Sequence, residues 1–370
     1  MNKLNRNYLN MPLYRAENER RSVENTLALL NKLRKNPVVG YVIFALILTV
    51  TQILSSAGLV NSSFVYAIGS TLIFCVVSLG FCLLLGYSAL ASLGTAGFIG
   101  IGAYCTYYCL AEWGLTIGVA FIMSIVIALI VGAIVGYISL RIEGIYLAIV
   151  TLGISQIIKE VLAALVDTIK IKGAQITLFG IESLKLKTDS IFYIIVGMML
   201  LLMIITHNIM DSPTGRAMLA MKNSTSAAQA FGISLMKYRL LAFIVSIVYA
   251  AIAGMLFMLY NRYVSNSSST LFTLSTSLNI LGAVIIGGMK SIWGTVAGTF
   301  IIYGIDKMFL QDIEFFRENP TLITLFCGIL VVVVIMFYPG GLAQLLMEVK
   351  YKIEAFIRKK KEGKYGKDLG

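Results

Sequence analysis

Long apolar runs separated by short polar stretches recur along this chain from residue 39 to residue 338. A helix needs roughly 20 apolar residues to cross a hydrocarbon core of about 30 Å, and the runs have about that length with few charges. This pattern predicts membrane-spanning helices rather than elements of a soluble core. We predict ten spans, at residues 39–58, 65–85, 89–110, 117–139, 144–165, 190–209, 238–260, 272–288, 292–309 and 321–338.

Composition supports the same fold class. Hydrophobic residues make up 58% of the 370 residues and charged residues only 13%, whereas roughly a quarter of a soluble domain is charged. We therefore expect an all-α polytopic membrane protein. Its transmembrane domain is predicted over residues 39–340, between a basic N-terminal tail (1–38) and a basic C-terminal tail (341–370).

The net charge of +12 is carried mainly by the two tails, each with eight Lys or Arg. Basic residues at the ends of spans are retained on the cytoplasmic side, so we expect both termini there and an even number of spans. No basic, aromatic-bearing soluble face indicates a nucleic-acid partner. The N-terminal tail is interpreted as leading into an uncleaved anchor, and as either a solvated arm or a contact to anionic membrane lipid.

The chain shows no sequence signature of catalysis or of a cofactor site. Residues 282–291 lack phosphate-loop spacing, and residues 97–102 lack dinucleotide spacing. The only histidine, His207, has Asp211 four residues away, which is typical of an interfacial histidine rather than a general base. The five cysteines lie in apolar runs without the acids or histidines of a metal site. We expect no enzyme activity, no catalytic residue, no metal and no cofactor.

Two ion pairs inside spans, Lys159–Glu160 and Asp306–Lys307, are candidates for an ion pathway. Buried charges are costly in lipid and often mark such routes. Both pairs lie toward span ends, where they can neutralise each other or snorkel. A structural role is favoured, which weakens an ion-driven carrier without removing it from consideration.

A glycine-rich, broken-looking stretch occurs in each half of the chain, at residues 86–102 and 282–304. Interrupted spans in corresponding places of two halves indicate an inverted repeat with a substrate route between them. Close helix packing through small residues explains the same pattern, and glycines spaced four apart occur at Gly132 and Gly136 and at Gly294 and Gly298. The sequence leaves these two interpretations open.

The loop at residues 210–237, expected on the cytoplasmic side, has the composition of a surface helix. Pro213 and Thr214 suit a helix start and Gly232 suits a stop. A helix over residues 217–231 that places Ala227, Ala228 and Phe231 on one side fits docking to a soluble partner. An amphipathic surface helix without a partner is the alternative.

Five segments between residues 80 and 345 resemble, in order, the longer permease of high-affinity branched-chain amino acid ABC importers. The early segment is residues 86–98 (GYSALASLGTAGF) and the second is residues 141–153 (RIEGIYLAIVTLG). The third is the loop at residues 215–233 with the helix entry at 238–243 (YRLLAF). The others are Ile286-Gly287-Gly288 with Trp293-Gly294, and residues 337–342 (FYPGGL).

The resemblance implies an inverted-repeat permease fold in the bacterial cytoplasmic membrane that imports leucine, isoleucine or valine. Its partners would be separate ABC ATP-binding subunits, a second homologous permease and an extracytoplasmic substrate-binding protein. Coupling to the ATPase would involve Gly215, Arg216, Ala227, Ala228, Gln229, Phe231 and Gly232. The translocation path would be lined by Ser92, Gly94, Thr95, Gly97, Gly287, Gly288 and Ser291.

The chain departs from the family pattern at several positions. Thr95 stands where a histidine is usual, Ile145 where an acid is usual, and Ser226 and Gln229 where acids are common. These changes bear on the substrate and on the ATPase contact. Urea and short-chain amide importers use similar permeases, so such a substrate is the first alternative, and an ion-coupled carrier or a non-transporting scaffold are alternatives of a different class.

Overall fold

The computed structural model describes residues 37–308, except positions 143, 167, 172–187 and 266–271, and scattered positions between 322 and 348. Half of the predicted span at 321–338 and most of both tails lie outside these residues. The described part is almost entirely helical, as the apolar pattern predicts. Two compact units divide the chain, Met1–Val50 and Thr51–Gly370. In the first, the described residues are the start of a helix, and the second holds every feature discussed below.

The elements follow one another along the chain as membrane-length helices and shorter connecting pieces. The helices of the first half are α1 Pro37–Ser56, α2 Ser62–Phe81, α3 Thr95–Tyr107, α4 Ile117–Ser139 and α5 Ile145–Leu165. Those of the second half are α6 Thr188–Asp211, α7 Pro213–Asn223, α8 Thr225–Ala230, α9 Leu235–Asn261, α10 Leu274–Gly287, α11 Ile292–Thr299 and α12 Ile305–Met308. Three π-helical turns continue α2, α3 and α11, at Cys82–Tyr87, Tyr108–Glu112 and Phe300–Gly304.

Six helical stretches of the described residues are long and apolar enough to cross a membrane. They are Pro37–Ser56, Ser62–Tyr87, Ile117–Ser139, Tyr146–Leu165, Asp189–Asp211 and Leu235–Asn261. Each coincides with a predicted span, which confirms an all-α polytopic protein.

The segments predicted to span at 89–110, 272–288 and 292–309 contain shorter helices. Residues 88–94 are irregular, so α3 begins only at Thr95, and α10 has 14 residues. Glycine and small polar residues favour such interruptions, and neighbouring helices can satisfy the freed backbone groups within a membrane.

Helix α9, with 27 residues, is the centre of the second unit and packs on α2, α3 and α4. It approaches α3 most closely where Gly254 faces the Ile99 carbonyl and Gly102 faces the Ala251 carbonyl. A methyl group at either glycine would overlap the facing backbone, so two helices that lack side chains at these points can come into direct contact.

The glycine pairs singled out in the sequence also pack helices together. Gly132 and Gly136 on α4 lie against Ile247 and Phe243 of α9. Gly294 and Gly298 on α11 lie against the backbone of α10. Close packing therefore accounts for these four glycines. At the interruptions in the two glycine-rich stretches, one helix ends and the next begins.

One short antiparallel strand pair interrupts the helical pattern. Strand β1 (Thr168–Lys170) follows α5 and pairs with β2 (Tyr263–Ser265), which follows α9, with Ile169 opposite Val264. Strand β1 falls between the predicted spans at 144–165 and 190–209, where no strand was predicted. The strand pair ties the ends of α5 and α9 together on one side of the helix bundle.

Candidate functional site

The first interruption follows α2 and is called here the first break (residues 82–94). The helix widens into the π turn Cys82–Tyr87 and then ends. Ala89 has a positive φ of 55°, which a residue with a side chain rarely adopts. The irregular backbone then runs to Gly94, and α3 starts at Thr95.

Hydroxyl groups from neighbouring helices hold the start of α3. Thr151 Oγ1 of α5 accepts a hydrogen bond from the Leu93 amide at 3.1 Å, and Ser155 Oγ of α5 accepts one from the Gly97 amide at 2.9 Å. Ser277 Oγ of α10 accepts one from the Ala96 amide at 3.1 Å. The first amides of a helix have no partner four residues back within it, so the hydroxyls of Ser155 and Ser277 satisfy two such buried donors, and Thr151 binds the backbone just before the helix.

Two predicted path residues, Ser92 and Thr95, are buried and line one space with Ser246 of α9. That space has a volume of about 10 Å³, which is close to the minimum needed for a single water molecule. Its other walls include Phe98 and Phe243, whose rings meet edge to face at a centroid distance of 6.4 Å. The space between α3 and α9 is therefore too small for an amino acid in this conformation.

The glycines predicted for the same path occupy packing positions. Gly94 lies against Thr151 and Gly97 against Ser155, both on α5. A larger residue at either position would separate α3 from the hydroxyls that cap it. These two glycines thus shape the wall of the space rather than contact its interior.

The second interruption separates α10 from α11 and is called here the second break (residues 288–291). Gly288 adopts φ +105°, and Ser291 Oγ accepts a hydrogen bond from the Gly294 amide at 3.1 Å, which caps α11. Gly287 faces the Gly294 backbone. Gly341 of the late FYPGGL segment lies against the backbone of Gly288.

The two breaks contact each other. Gly86 in the first break lies directly under the Met289 carbonyl of the second, and any side chain there would overlap it. Cys82 Sγ also donates toward the Met289 carbonyl at 3.3 Å. The structure therefore brings the two glycine-rich stretches to one place, and movement of one break must displace the other.

The loop predicted to form a helix between α6 and α9 contains two. Ser212 accepts a hydrogen bond from the Gly215 amide at 3.2 Å, and Pro213 occupies the first turn of α7, as predicted. Ser224 ends α7 and caps α8, so the predicted single helix over 217–231 is divided at this residue. A serine favours such a boundary because its hydroxyl competes with the helical backbone pattern.

The predicted stop at Gly232 has the expected geometry. Its φ is +78°. Its amide donates to the Gln229 carbonyl at 2.9 Å, and the Ile233 amide donates to the Ala228 carbonyl at 3.0 Å. These two bonds are the Schellman arrangement that closes a helix, and the positive φ is the reason that glycine is suited to this position.

The exposed surface of α8 lacks one residue that was predicted to lie on it. Ala227, Gln229 and Phe231 are exposed, and the Phe231 ring is 86% exposed. Ala228 is buried, because it lies on the opposite side of the short helix and packs inward. Ala228 therefore does not share the exposed face on which the sequence analysis placed it.

Gly215 and Arg216 fix the start of α7 against the end of α6. Gly215 lies against the Ile209 and Met210 carbonyls, and the Arg216 guanidinium donates to the Asp211 carbonyl at 2.8 Å. Met218 and Met221 are buried on the inward face of α7. The helix pair is thus attached to the membrane helices along one side.

Lys222, at the end of α7, reaches the first break. Its ammonium donates to the Gly86 carbonyl at 2.8 Å and lies 3.4 Å from the Leu85 carbonyl. Burial, followed by the nearby charge of Lys290, lowers the pKa of Lys222 below its ordinary value. The side chain bridges the connecting helices and the interrupted span.

The ionisable groups considered in the sequence make contacts with other side chains. His207 Nε2 is 3.4 Å from Asp211 Oδ2 on the same helix face. Glu160 accepts a hydrogen bond from Gln156 at 2.8 Å. The Lys307 ammonium lies over the Phe74 ring, 5.4 Å from its centroid. These contacts support a structural role for His207, Glu160 and Lys307.

Sequence reasoning missed several residues that hold this site. It assigned no role there to the hydroxyls of Ser155, Ser246 and Ser277 or to the ammonium of Lys222. One feature of the sequence could have indicated them. Each apolar run contains a small polar residue, although an apolar residue there would suit a membrane span better. Which interruption each hydroxyl serves depends on packing between distant segments.

A wider cavity of about 420 Å³ lies near the opposite end of α2. It is polar on one side, where the Gln52 amide donates to Asp189 at 3.2 Å. Tyr66 and Tyr260 line the other side with stacked rings whose centroids are 5.0 Å apart. The sequence analysis singled out none of these residues.

Comparison with known proteins places these features in a family. The family model described as "Branched-chain amino acid transport system / permease component" matches residues 63–335, a stretch that contains both breaks and the α7–α8 pair. The chain is similar to the high-affinity branched-chain amino acid transport system permease protein LivM of Escherichia coli (strain K12). Identity is 29% over 301 residues, which cover 74% of this chain and 68% of that relative.

The protein of the same name from Salmonella typhimurium (strain LT2) is also similar, with 29% identity and coverage of 74% of this chain and 68% of the relative. No solved structure matches the chain significantly.

Removal of the Thr151 hydroxyl tests the capping of α3. Thr151→Val leaves the half-buried Leu93 amide without its acceptor. An unpaired buried amide costs roughly 1–3 kcal/mol, so we expect a lower unfolding temperature of the purified protein in detergent. The matched control is Thr106→Val, because the buried Thr106 hydroxyl donates only to the Gly102 carbonyl of its own helix. Equal stability of the two variants would contradict the capping role.

Proposed function

Since the chain belongs to the branched-chain amino acid transport system permease family, we propose that it is the membrane-spanning subunit of an ATP-driven importer of leucine, isoleucine and valine. Its family and its apolar helices make it a multi-pass protein of the bacterial inner membrane. The observation that carries the proposal is the match over residues 63–335, which includes the interrupted spans and the helix pair attached to them.

ATP hydrolysis is assigned to a separate ATP-binding subunit that docks on α7–α8. Phe231 supports this assignment, since a phenylalanine that is 86% exposed beside the exposed Ala227 and Gln229 offers an apolar anchor for a protein partner. In this proposal α7–α8 lies on the cytoplasmic face. That orientation agrees with the basic tails expected on the same side.

The substrate is proposed to pass between α3 and α9, at the level of Ser92, Thr95 and Ser246. Ser246 lies 11 residues after the start of α9 at Leu235, or about 17 Å along a helix of roughly 40 Å. The polar residues are therefore near the middle of the span, the depth at which transporters commonly bind their substrates. Gly94, Gly97, Gly287, Gly288 and Ser291 shape the adjoining breaks.

The closed space around Ser92 requires a conformational change for transport. ATP-driven approach of the two ATPases would move α7–α8 as a rigid body, and the interrupted spans would follow. A second homologous permease supplies the other half of the complex, lipid surrounds it, and a substrate-binding protein delivers the amino acid from outside. Selectivity is expected to lie mainly in that binding protein.

The proposal is tested by purifying the chain with the products of neighbouring genes and reconstituting the complex in proteoliposomes. We expect an ATPase and a second permease to co-purify, and labelled leucine and valine to enter only with ATP. Uptake of urea alone would keep the class and change the substrate. Uptake that does not require ATP and is lost when an ion gradient is removed would indicate a secondary carrier. Absence of any flux with all partners present would indicate a scaffold.

The stop of α8 at Gly232 provides a second prediction. Gly232→Val forces a β-branched residue into φ +78°, which is strained, so the helix end changes shape and uptake driven by ATP is expected to fall severalfold while ATP hydrolysis persists. Uptake and hydrolysis are measured on the same proteoliposomes.

The matched control for that variant is Gly58→Val. Gly58 has the same φ of +78° and, like Gly232, has open space where a side chain would be. It lies between α1 and α2, at the other end of α2 from α7, so the variant carries the same backbone strain at a site away from the helix pair. Equal uptake by both variants would contradict the coupling role of the α8 stop.

A further inference from the structure

We propose that Lys222 is the positioning residue through which movement of α7–α8 reaches the interrupted spans. This inference rests on the proposed function, because it assigns a route for motion that an ATPase would generate. The sequence analysis gave the coupling role to Gly215 and Arg216 at the start of α7 and to residues around α8, whereas Lys222 contacts the first break from the end of α7.

The geometry is that of a cation holding the end of a helix. The ammonium is 2.8 Å from the Gly86 carbonyl and 3.4 Å from the Leu85 carbonyl, both in the π turn where α2 ends. Carbonyls at the end of a helix have no amide partner within it and carry the negative end of its dipole. Hydrogen bonds from a charged donor to such groups are the stronger class.

The contact continues into the second break. Gly86, whose carbonyl accepts the bond from Lys222, lies directly under the Met289 carbonyl. Cys82, four residues earlier, makes a second approach to the same carbonyl at 3.3 Å. Lys222, Gly86 and Met289 therefore form a chain of three contacting residues. Through this chain a displacement of Lys222 moves both the end of α2 and the turn between α10 and α11.

Charge distinguishes this contact from the apolar inward face of α7. The inward face of α7 packs through Gly215, Met218 and Met221, and such apolar contacts allow sliding. The Lys222 contact is directional, and it lies where burial and the positive charge of Lys290 both oppose a cation. Lys222 lies there despite this unfavourable environment, and its hydrogen bonds hold α7 in one arrangement against the first break.

The test uses the complete reconstituted complex and three variants of this chain. Lys222→Met keeps the aliphatic length and removes the charge and donors, Lys222→Arg keeps both, and Lys237→Met removes a charge from the exposed start of α9 as the control. The readout is labelled leucine taken up per ATP hydrolysed, with the amount of bound ATPase subunit measured in parallel. A purely structural role would change the amount of complex and leave the ratio unaltered.

We expect Lys222→Met to bind the ATPase and hydrolyse ATP, with uptake per ATP lower by about tenfold, the size that loss of a charged hydrogen-bond donor gives. Lys222→Arg should recover most of the ratio, and Lys237→Met should match the unaltered chain. If Lys222→Met does not assemble, Lys222→Gln, which keeps an amide donor, gives the same comparison and is expected to lower the ratio as well.

The outcomes separate this inference from the function on which it rests. An unaltered complex that shows no ATP-dependent uptake overturns the proposed function and this inference with it. An unaltered complex that transports, together with a normal uptake ratio in Lys222→Met or in Lys222→Gln, overturns the role of Lys222 alone.

Discussion

Backbone amides and carbonyls freed inside a membrane have no water to bind, so a span can be interrupted there only if other groups satisfy them. In this chain the helical backbone is interrupted between α2 and α3 and between α10 and α11. Neighbouring helices of the second unit pack around those two places. Thr151, Ser155 and Ser277 bind the free amides at the start of α3. Lys222 binds free carbonyls at the end of α2. The positions of α5, α7 and α10 follow from this requirement.

The same requirement explains why glycine is concentrated at the breaks. Gly86 lets one break lie under the other, and Gly254 lets α9 approach α3 closely enough to close the space around Ser92. The closed state is held by direct backbone contact and by small hydroxyls, with little flexible side chain between the elements. Such contacts favour a change between discrete arrangements over gradual deformation, which is what alternating access needs.

Much of the fold could be predicted from the sequence, because long apolar runs have one structural solution in a membrane. The start of α7 at Pro213 and the stop at Gly232 were also predictable, since each depends on local backbone chemistry. The division at Ser224 and the burial of Ala228 were not predicted, because both depend on how a short helix packs. The Lys222 contact joins residues 136 apart in sequence, and no local pattern carries that information.

We propose that α7–α8 binds an ATPase on one side while it holds the first break on the other. Photocrosslinking distinguishes the two sides, with Phe231 replaced by benzoylphenylalanine in the co-purified complex and Leu59, 76% exposed between α1 and α2, replaced as the control. We expect a crosslink to the ATP-binding subunit from position 231 and none from position 59. An intact complex that gives no crosslink from position 231 would contradict it.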